Sequence, residues 1–102
     1  MQVIITEEVR HFLLSVEKTA YAKIEKQIEL LRIFGYMIRM PYSRFVLPGI
    51  FELRIIGKTN LRLMYTFHSG SAIVFCAFVK KTNEISEKDM HRIKIKFRDL
   101  QL

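Results

Sequence analysis

From Ala20 onward the apolar side chains Ile24, Ile28 and Leu31 recur at helical spacing, with Lys23, Glu25, Lys26 and Glu29 between them. This pattern predicts an amphipathic helix, and Gly35 stands where a left-handed residue would end it. Upstream, Val3 to Ile5 is a brief β-branched run. Thr6 followed by Glu7 and Glu8 then supplies an N-cap and an acidic first turn for an earlier helix. Pro41, Pro48 and Gly49 all fall within residues 36–50, which predicts an ordered crossing loop rather than a regular element. After it the period changes to two. Phe51, Leu53 and Ile55 share one strand face, Glu52 and Arg54 share the other, and Gly57 to Asn60 offers turn chemistry before Leu61 to Phe67 alternates again, so a hairpin is predicted. His68, Ser69 and Gly70 turn the chain into Ala72 to Val79, whose near-continuous apolarity predicts a central strand covered on both faces. Ser86 and Asp89 form a capping-box-like pair for a last, basic helix with a narrow stripe of Met90, Ile93, Phe97 and Leu100. The predicted order is β-α-α-β-β-β-α. It describes one α+β domain over residues 1–102, a small antiparallel-rich sheet with the helices packed on one face.

Composition adds a partner class. Seventeen Lys and Arg against ten Asp and Glu give a formal charge of +7, which suits a nucleic acid, an acidic protein or an anionic membrane face. Half of the 102 residues are apolar, enough for a packed core. The single cysteine, Cys76, lies inside the Ala72 to Val79 run, so no internal disulfide can form and a buried, reduced thiol is expected. That run is far shorter than the roughly 20 residues needed to span a bilayer. The N-terminus has no basic segment followed by an apolar one, and a cytoplasmic protein without a membrane partner is expected.

Candidate chemistry comes from cations that interrupt otherwise apolar strands: Arg54 and Arg62 on the hairpin, Lys80 and Lys81 at the end of the third strand. Arg54 and Arg62 lie opposite the core positions of their strands, so both should project from the side that the helices leave open. A cationic face of this kind suits phosphodiester cleavage, because an Arg can hold two phosphoryl oxygens with paired hydrogen bonds as negative charge builds up. RNA brings its own nucleophile, the 2′-OH, which leaves the protein to position, stabilise charge and move a proton. Crowded positive charge lowers a lysine pKa, making Lys80 or Lys81 a candidate acid or base; a solvated, pairing-blocking strand edge is the plainer reading of the same two residues. Arg44, Lys58 and Arg92 are further candidates for RNA phosphate contacts, although a basic helix face is ordinarily just solvated. His11, His68 and His91 read as surface residues, and Tyr65 and Phe67 as core. No Cys/His cluster, paired acidic motif or glycine-rich phosphate loop is present, so neither a metal nor a cofactor is expected.

Several segments together resemble a known family. They are Leu31 and Gly35, Met40-Pro41-Tyr42-Ser43, Gly49-Ile50-Phe51-Glu52-Leu53-Arg54, Leu61-Arg62-Leu63-Met64-Tyr65 and Ala77-Phe78-Val79-Lys80-Lys81-Thr82. The G-x-x-E-L-R segment, the R-x-x-Y strand and the F-V-K-K-T end keep the order and separation found in the phage-derived, HigB-like branch of the RelE toxin superfamily. The resemblance implies a RelE-like fold and a ribosome-associated, metal-independent mRNA endoribonuclease that inhibits translation. It also implies a helix-turn-helix antitoxin that checks the activity and often represses the shared operon, so that operator DNA is met only through the antitoxin. On the family's motifs Arg54, Arg62, Lys80 and Lys81 take the basic positions that bind the scissile phosphate; Arg62 is assigned charge stabilisation and Lys80 or Lys81 proton transfer. The chain departs from the family at Ile85-Ser86, where a Thr-Pro usually opens the last helix, and at Ile93, where an alanine is usual. No tyrosine follows Tyr65, so the aromatic acid/base residue of some superfamily members has no counterpart. A non-catalytic RNA- or ribosome-binding module and a gyrase-poisoning toxin of the same fold are the rival readings.

Overall fold

The computed structural model describes residues 1–102. In chain order the elements are β1 (Gln2–Ile5), α1 (Glu7–Leu14), α2 (Lys18–Phe34), a 3-10 turn (Gly35–Met37), β2 (Ser43–Leu47), β3 (Ile50–Ile55), β4 (Leu61–His68), β5 (Ser71–Val79) and α3 (Glu87–Asp99). The strands form one sheet in the order β1-β5-β4-β3-β2, with β1 parallel to β5 and every other pair antiparallel. This is a small α+β fold with a mixed, mostly antiparallel sheet, consistent with the RelE-like fold that the resemblance implies.

Two expectations need correcting. Residues 36–50 are not only a crossing loop, because they contain β2. Pro41 and Pro48 flank that strand without entering it, so neither removes a ladder donor, and Pro48-Gly49 makes the tight turn into β3, with Gly49 at φ 80°. The helices are also not all on one face. Val9 and Leu13 of α1 and Ile24, Ile28 and Leu31 of α2 pack on one side of the sheet, against Leu53, Ile55, Leu61, Leu63, Tyr65 and Val74. On the other side, Ile93 and Phe97 of α3 join Ile50, Met64, Phe75, Cys76 and Phe78. A strand as apolar as β5 needs cover on both faces, and the narrow stripe of α3 provides it over part of the second one.

The β4–β5 ladder carries a β-bulge with a consequence for the site. Met64 is opposite Cys76 and Tyr65 is opposite Val74, leaving Phe75 as the extra residue. Phe75 and Cys76 therefore both face α3, and the alternation of β5 changes phase. Val74 and Ala77 belong to the α1/α2 side, whereas Cys76 and Phe78 belong to the α3 side. By the two-residue period, Lys80 follows Phe78 onto the α3 side. Without the bulge it would point the other way.

Local chemistry explains the helix starts. The Ser86 hydroxyl accepts from the Asp89 N–H at 3.1 Å, the cap expected for α3. Thr6 occupies the N-cap position of α1, but its hydroxyl makes no cap bond, and its N–H instead extends the β1 ladder to the Val74 carbonyl at 3.1 Å. No helix is long and apolar enough to cross a membrane. Phe75 is 2% exposed and its ring centroid lies 5.7 Å from that of Phe97. Urea denaturation of Phe75→Ala should show a loss of about 3–5 kcal/mol. Ser86→Ala should show a loss of about 1 kcal/mol from the missing cap.

Candidate nucleic-acid interface

Strand pairing alone assembles a cationic cluster. Arg54 of β3 and Arg62 of β4 are direct cross-strand partners, and Arg44 of β2 is the partner of Glu52 on β3. Glu52 and Arg54, two residues apart, share a face, so all four side chains meet on the α3 side of the sheet. Lys80 adds itself at the end of β5, its N–H bonded to the Asn60 carbonyl at 2.8 Å. Gln27 of α2 anchors the same region from the opposite side by donating to the Arg54 carbonyl at 2.8 Å.

Glu52 is the centre of the cluster. Its carboxylate is 0% exposed, with Arg44 Nη2 at 3.0 Å and Arg54 Nε at 3.9 Å from Oε1, and Arg62 Nε at 3.6 Å from Oε2. Neither carboxylate oxygen makes a well-aligned hydrogen bond, nor does either Nε of Arg54 and Arg62, so the attraction among them is mainly that of charge. Two arginines directly opposite each other would repel. The carboxylate beside them offsets that repulsion. Arg62 is 3% exposed and its Nη1 donates to the Leu61 carbonyl at 2.9 Å, whereas Arg54 is 21% and Arg44 46% exposed. Arg62 thus lies at the floor of the cluster, and Arg44 and Arg54 reach solvent.

Burial shifts two of the cations. Burial lowers the Arg62 pKa, with Arg54 and Arg44 adding to the effect and Glu52 opposing it. Lys80 is likewise lowered, by burial first and then by Arg62, Arg44 and Arg54, again against Glu52. This is the direction expected for a lysine in a cationic setting.

Three residues expected at the site lie elsewhere. Lys81 is exposed and lines a separate cavity with Phe12, Thr82, Lys88 and Arg92. Lys58, in the β3–β4 turn, sits beside Lys23 and Glu17 on the α2 side. Arg92 is turned inward, its Nη2 donating to the Ala77 carbonyl at 3.3 Å and lying 3.8 Å from Glu8, which also pairs with Lys96 at 2.6 Å. This ties α3 to α1 across the stretch of β5 that β1 leaves unpaired. Arg54, Arg62, Lys80 and Arg44 do come together. No three His, Cys, Asp or Glu side chains are grouped, and His11, His68 and His91 are all exposed outside the cluster. Glu52 is the member that the sequence reading did not single out for function. Its signal was present: an acid in a buried strand, on the same face as Arg54.

On the opposite face, where α2 ends, a cavity of about 390 Å³ is lined by Tyr36, Phe45, Phe51, Tyr65 and Phe67, with Arg39 and Arg44 at its edge. Its rings pack on one another, Phe51 on Tyr65 at 5.6 Å and Tyr36 on Phe67 at 4.6 Å. Tyr65 is buried and paired with the Ser43 hydroxyl. Burial raises its pKa, against that hydrogen bond and the charge of Arg39. The core assignment of Tyr65 stands.

The lowered Lys80 pKa has a measurable consequence. Between the native and unfolded values the unfolded chain binds the extra proton, so stability rises with pH across that interval. The deficit of wild type relative to Lys80→Gln should shrink as pH climbs toward the ordinary lysine range. Parallel urea titrations of the two proteins between about pH 8 and 10.5 test this; a gap that stays constant would contradict it.

No curated protein sequence matches the chain. The family model described as "Phage derived protein Gp49-like (DUF891)" matches residues 11–98, a span that holds Arg44, Glu52, Arg54, Arg62 and Lys80 together with the sheet strands β2 to β5 and nearly all of α3. The chain belongs to this phage-derived Gp49-like family, a family of RelE/toxin-like proteins.

Proposed function

We propose that the protein is the toxin of a type II toxin–antitoxin pair, of the HigB-like kind, and that it cleaves mRNA on the ribosome and so stops translation in the cytoplasm. The observation that carries this reading is the convergence of Arg44, Arg54, Arg62 and Lys80 around one buried carboxylate, inside the span that matches the family. Four cations around one acid make a site for a polyanion. Arg44 and Arg54 are exposed enough to hold the non-bridging oxygens of a phosphodiester, and Arg62 adds charge from below, where the surroundings screen it less.

In the proposed reaction the 2′-oxygen of a nucleotide attacks the adjacent phosphorus. The O2′–P bond forms and the P–O5′ bond breaks, giving a 2′,3′-cyclic phosphate and a free 5′-hydroxyl end. Lys80, through the neutral fraction that its surroundings enlarge, takes the 2′-OH proton, and the ammonium so formed returns that proton to the leaving 5′-oxygen. The lowered pKa of Lys80 suits this exchange. The arginines meet the charge that builds up on phosphorus, for which one donor is typically worth about 10²- to 10³-fold in rate. The chemistry draws on no metal or cofactor.

A helix-turn-helix antitoxin is the proposed protein partner, with operator DNA bound only through it. The exposed apolar side chains Ile33, Phe34, Tyr36, Met37, Met40 and Phe45, which run from the end of α2 through the 3-10 turn and the following segment to the outer strand β2, give such a partner an apolar surface to cover.

Inducible expression of wild type, Arg54→Ala and Lys80→Ala in a bacterial host, with growth recorded and mRNA 5′ ends mapped within minutes, tests the reading. Wild type should arrest growth and open new 5′ ends inside translated messages, and each variant should cut about 10²-fold less. Arrest with intact messages would turn the reading toward gyrase. Absence of arrest, with RNA affinity retained, would leave a binding module. For a short single-stranded RNA, the log-log dependence of affinity on salt should lose about 0.7 in slope on Arg54→Ala.

A further inference from the structure

Position 52 asks for an apolar residue. On its face of β3 the neighbour two residues back is Ile50 and the cross-strand partner is Met64, both buried in the α3-side core. A carboxylate there must give up its hydration, and a buried ion pair is commonly no more stable than well-packed apolar residues of similar size. The fold alone therefore supplies no reason for an acid at this point. The arginines supply one. Arg44 and Arg54 both face the same oxygen, Oε1, from two different strands, and Arg62 faces the other oxygen from a third. Without the carboxylate, Arg54 and Arg62 would splay apart from their directly opposed positions.

We propose that Glu52 is the positioning residue of the cluster: its buried carboxylate holds the guanidiniums of Arg44, Arg54 and Arg62 in one array that receives a single RNA phosphodiester. Glu52 is fully covered and touches no substrate; it acts through the arginines. The inference rests on the ribonuclease reading above and adds to it the reason that three arginines from three strands work as one unit. It also separates two roles that a simple count of charge would merge. If Glu52 only moderated the positive charge, its removal would make the protein bind RNA more tightly. If it positions, its removal disables the array even though the net positive charge rises.

The test compares wild type, Glu52→Gln and Glu52→Asp in two assays, turnover of a cleavable RNA and affinity for the same RNA carrying 2′-methoxy groups, with urea denaturation reporting the folded fraction. Glu52→Gln should lose about 10²-fold in turnover, the scale of a misplaced catalytic array. Its affinity for the methoxylated RNA should be equal to that of wild type or weaker. Glu52→Asp keeps the charge but withdraws it by one methylene, and should recover part of the turnover at wild-type affinity. Near-wild-type turnover in a folded Glu52→Gln, or tighter RNA binding with turnover kept, overturns the proposal. If Glu52→Gln does not fold because Arg62 loses its counter-ion, Glu52→Asp decides: reduced turnover at retained affinity supports positioning, and wild-type behaviour overturns it. Activity and affinity that fall only with the folded fraction, or failure of both variants to fold, assigns Glu52 a structural role and overturns it as well. A wild type that neither cuts nor binds RNA removes the ribonuclease reading and this assignment together, whereas an active wild type with unaffected variants removes only the assignment.

Discussion

A carboxylate with no access to water, placed in the middle of a sheet, has to find positive charge within a few ångströms. Glu52 finds it on three different strands, at 3.0, 3.6 and 3.9 Å. That requirement constrains the surrounding structure. β2 must pair with β3 in the register that sets Arg44 against Glu52, and β4 must pair so that Arg62 is opposite Arg54. The same burial that makes an unpaired acid costly makes each neighbouring cation a poor candidate for removal. Charge, register and packing are here a single constraint.

The two faces of the sheet divide the work. α1 and α2 cover one face with an apolar core, and α3 covers the part of the other formed by Ile50, Met64, Phe75, Cys76 and Phe78. Beyond that cover Arg44 and Arg54 remain open to solvent. The bulge at Phe75 links the two arrangements, since it turns Phe75 and Cys76 together toward α3 and brings Lys80 onto the side of Arg62. Cys76, packed in this layer and 1% exposed, has its pKa raised chiefly by burial, as suits a thiol that serves packing.

Much of this was legible in the chain. Helical spacing located α2, the change to a period of two located β3 and β4, and the Ser86–Asp89 pair located the start of α3. The cationic cluster was legible where its residues interrupt strands, at Arg54, Arg62 and Lys80. What was hidden depended on pairing. β2 was masked by its flanking prolines, and with it the partnership of Arg44 and Glu52. The bulge cannot be seen in a run as uniformly apolar as Ala72 to Val79, so which of Lys80 and Lys81 faces Arg62 emerges only from the register. Arg92 looked like any other cation of a basic helix until its bond to the Ala77 carbonyl gave it a structural task. The cover on both faces, by contrast, was implied by the apolarity of β5 and was set aside in favour of a one-sided layer.

Under the proposed function the Glu52-centred cluster, and not the basic surface of α3, receives RNA. Chemical-shift mapping of the isotope-labelled protein with a methoxylated, uncleavable RNA tests it most directly, following backbone amides and arginine side-chain N–H groups. The shifts should gather on Arg44, Arg54, Arg62 and Lys80 and on the strands that carry them. Shifts concentrated on Lys88, Lys94 and Arg98 of α3, with the cluster unmoved, would contradict it.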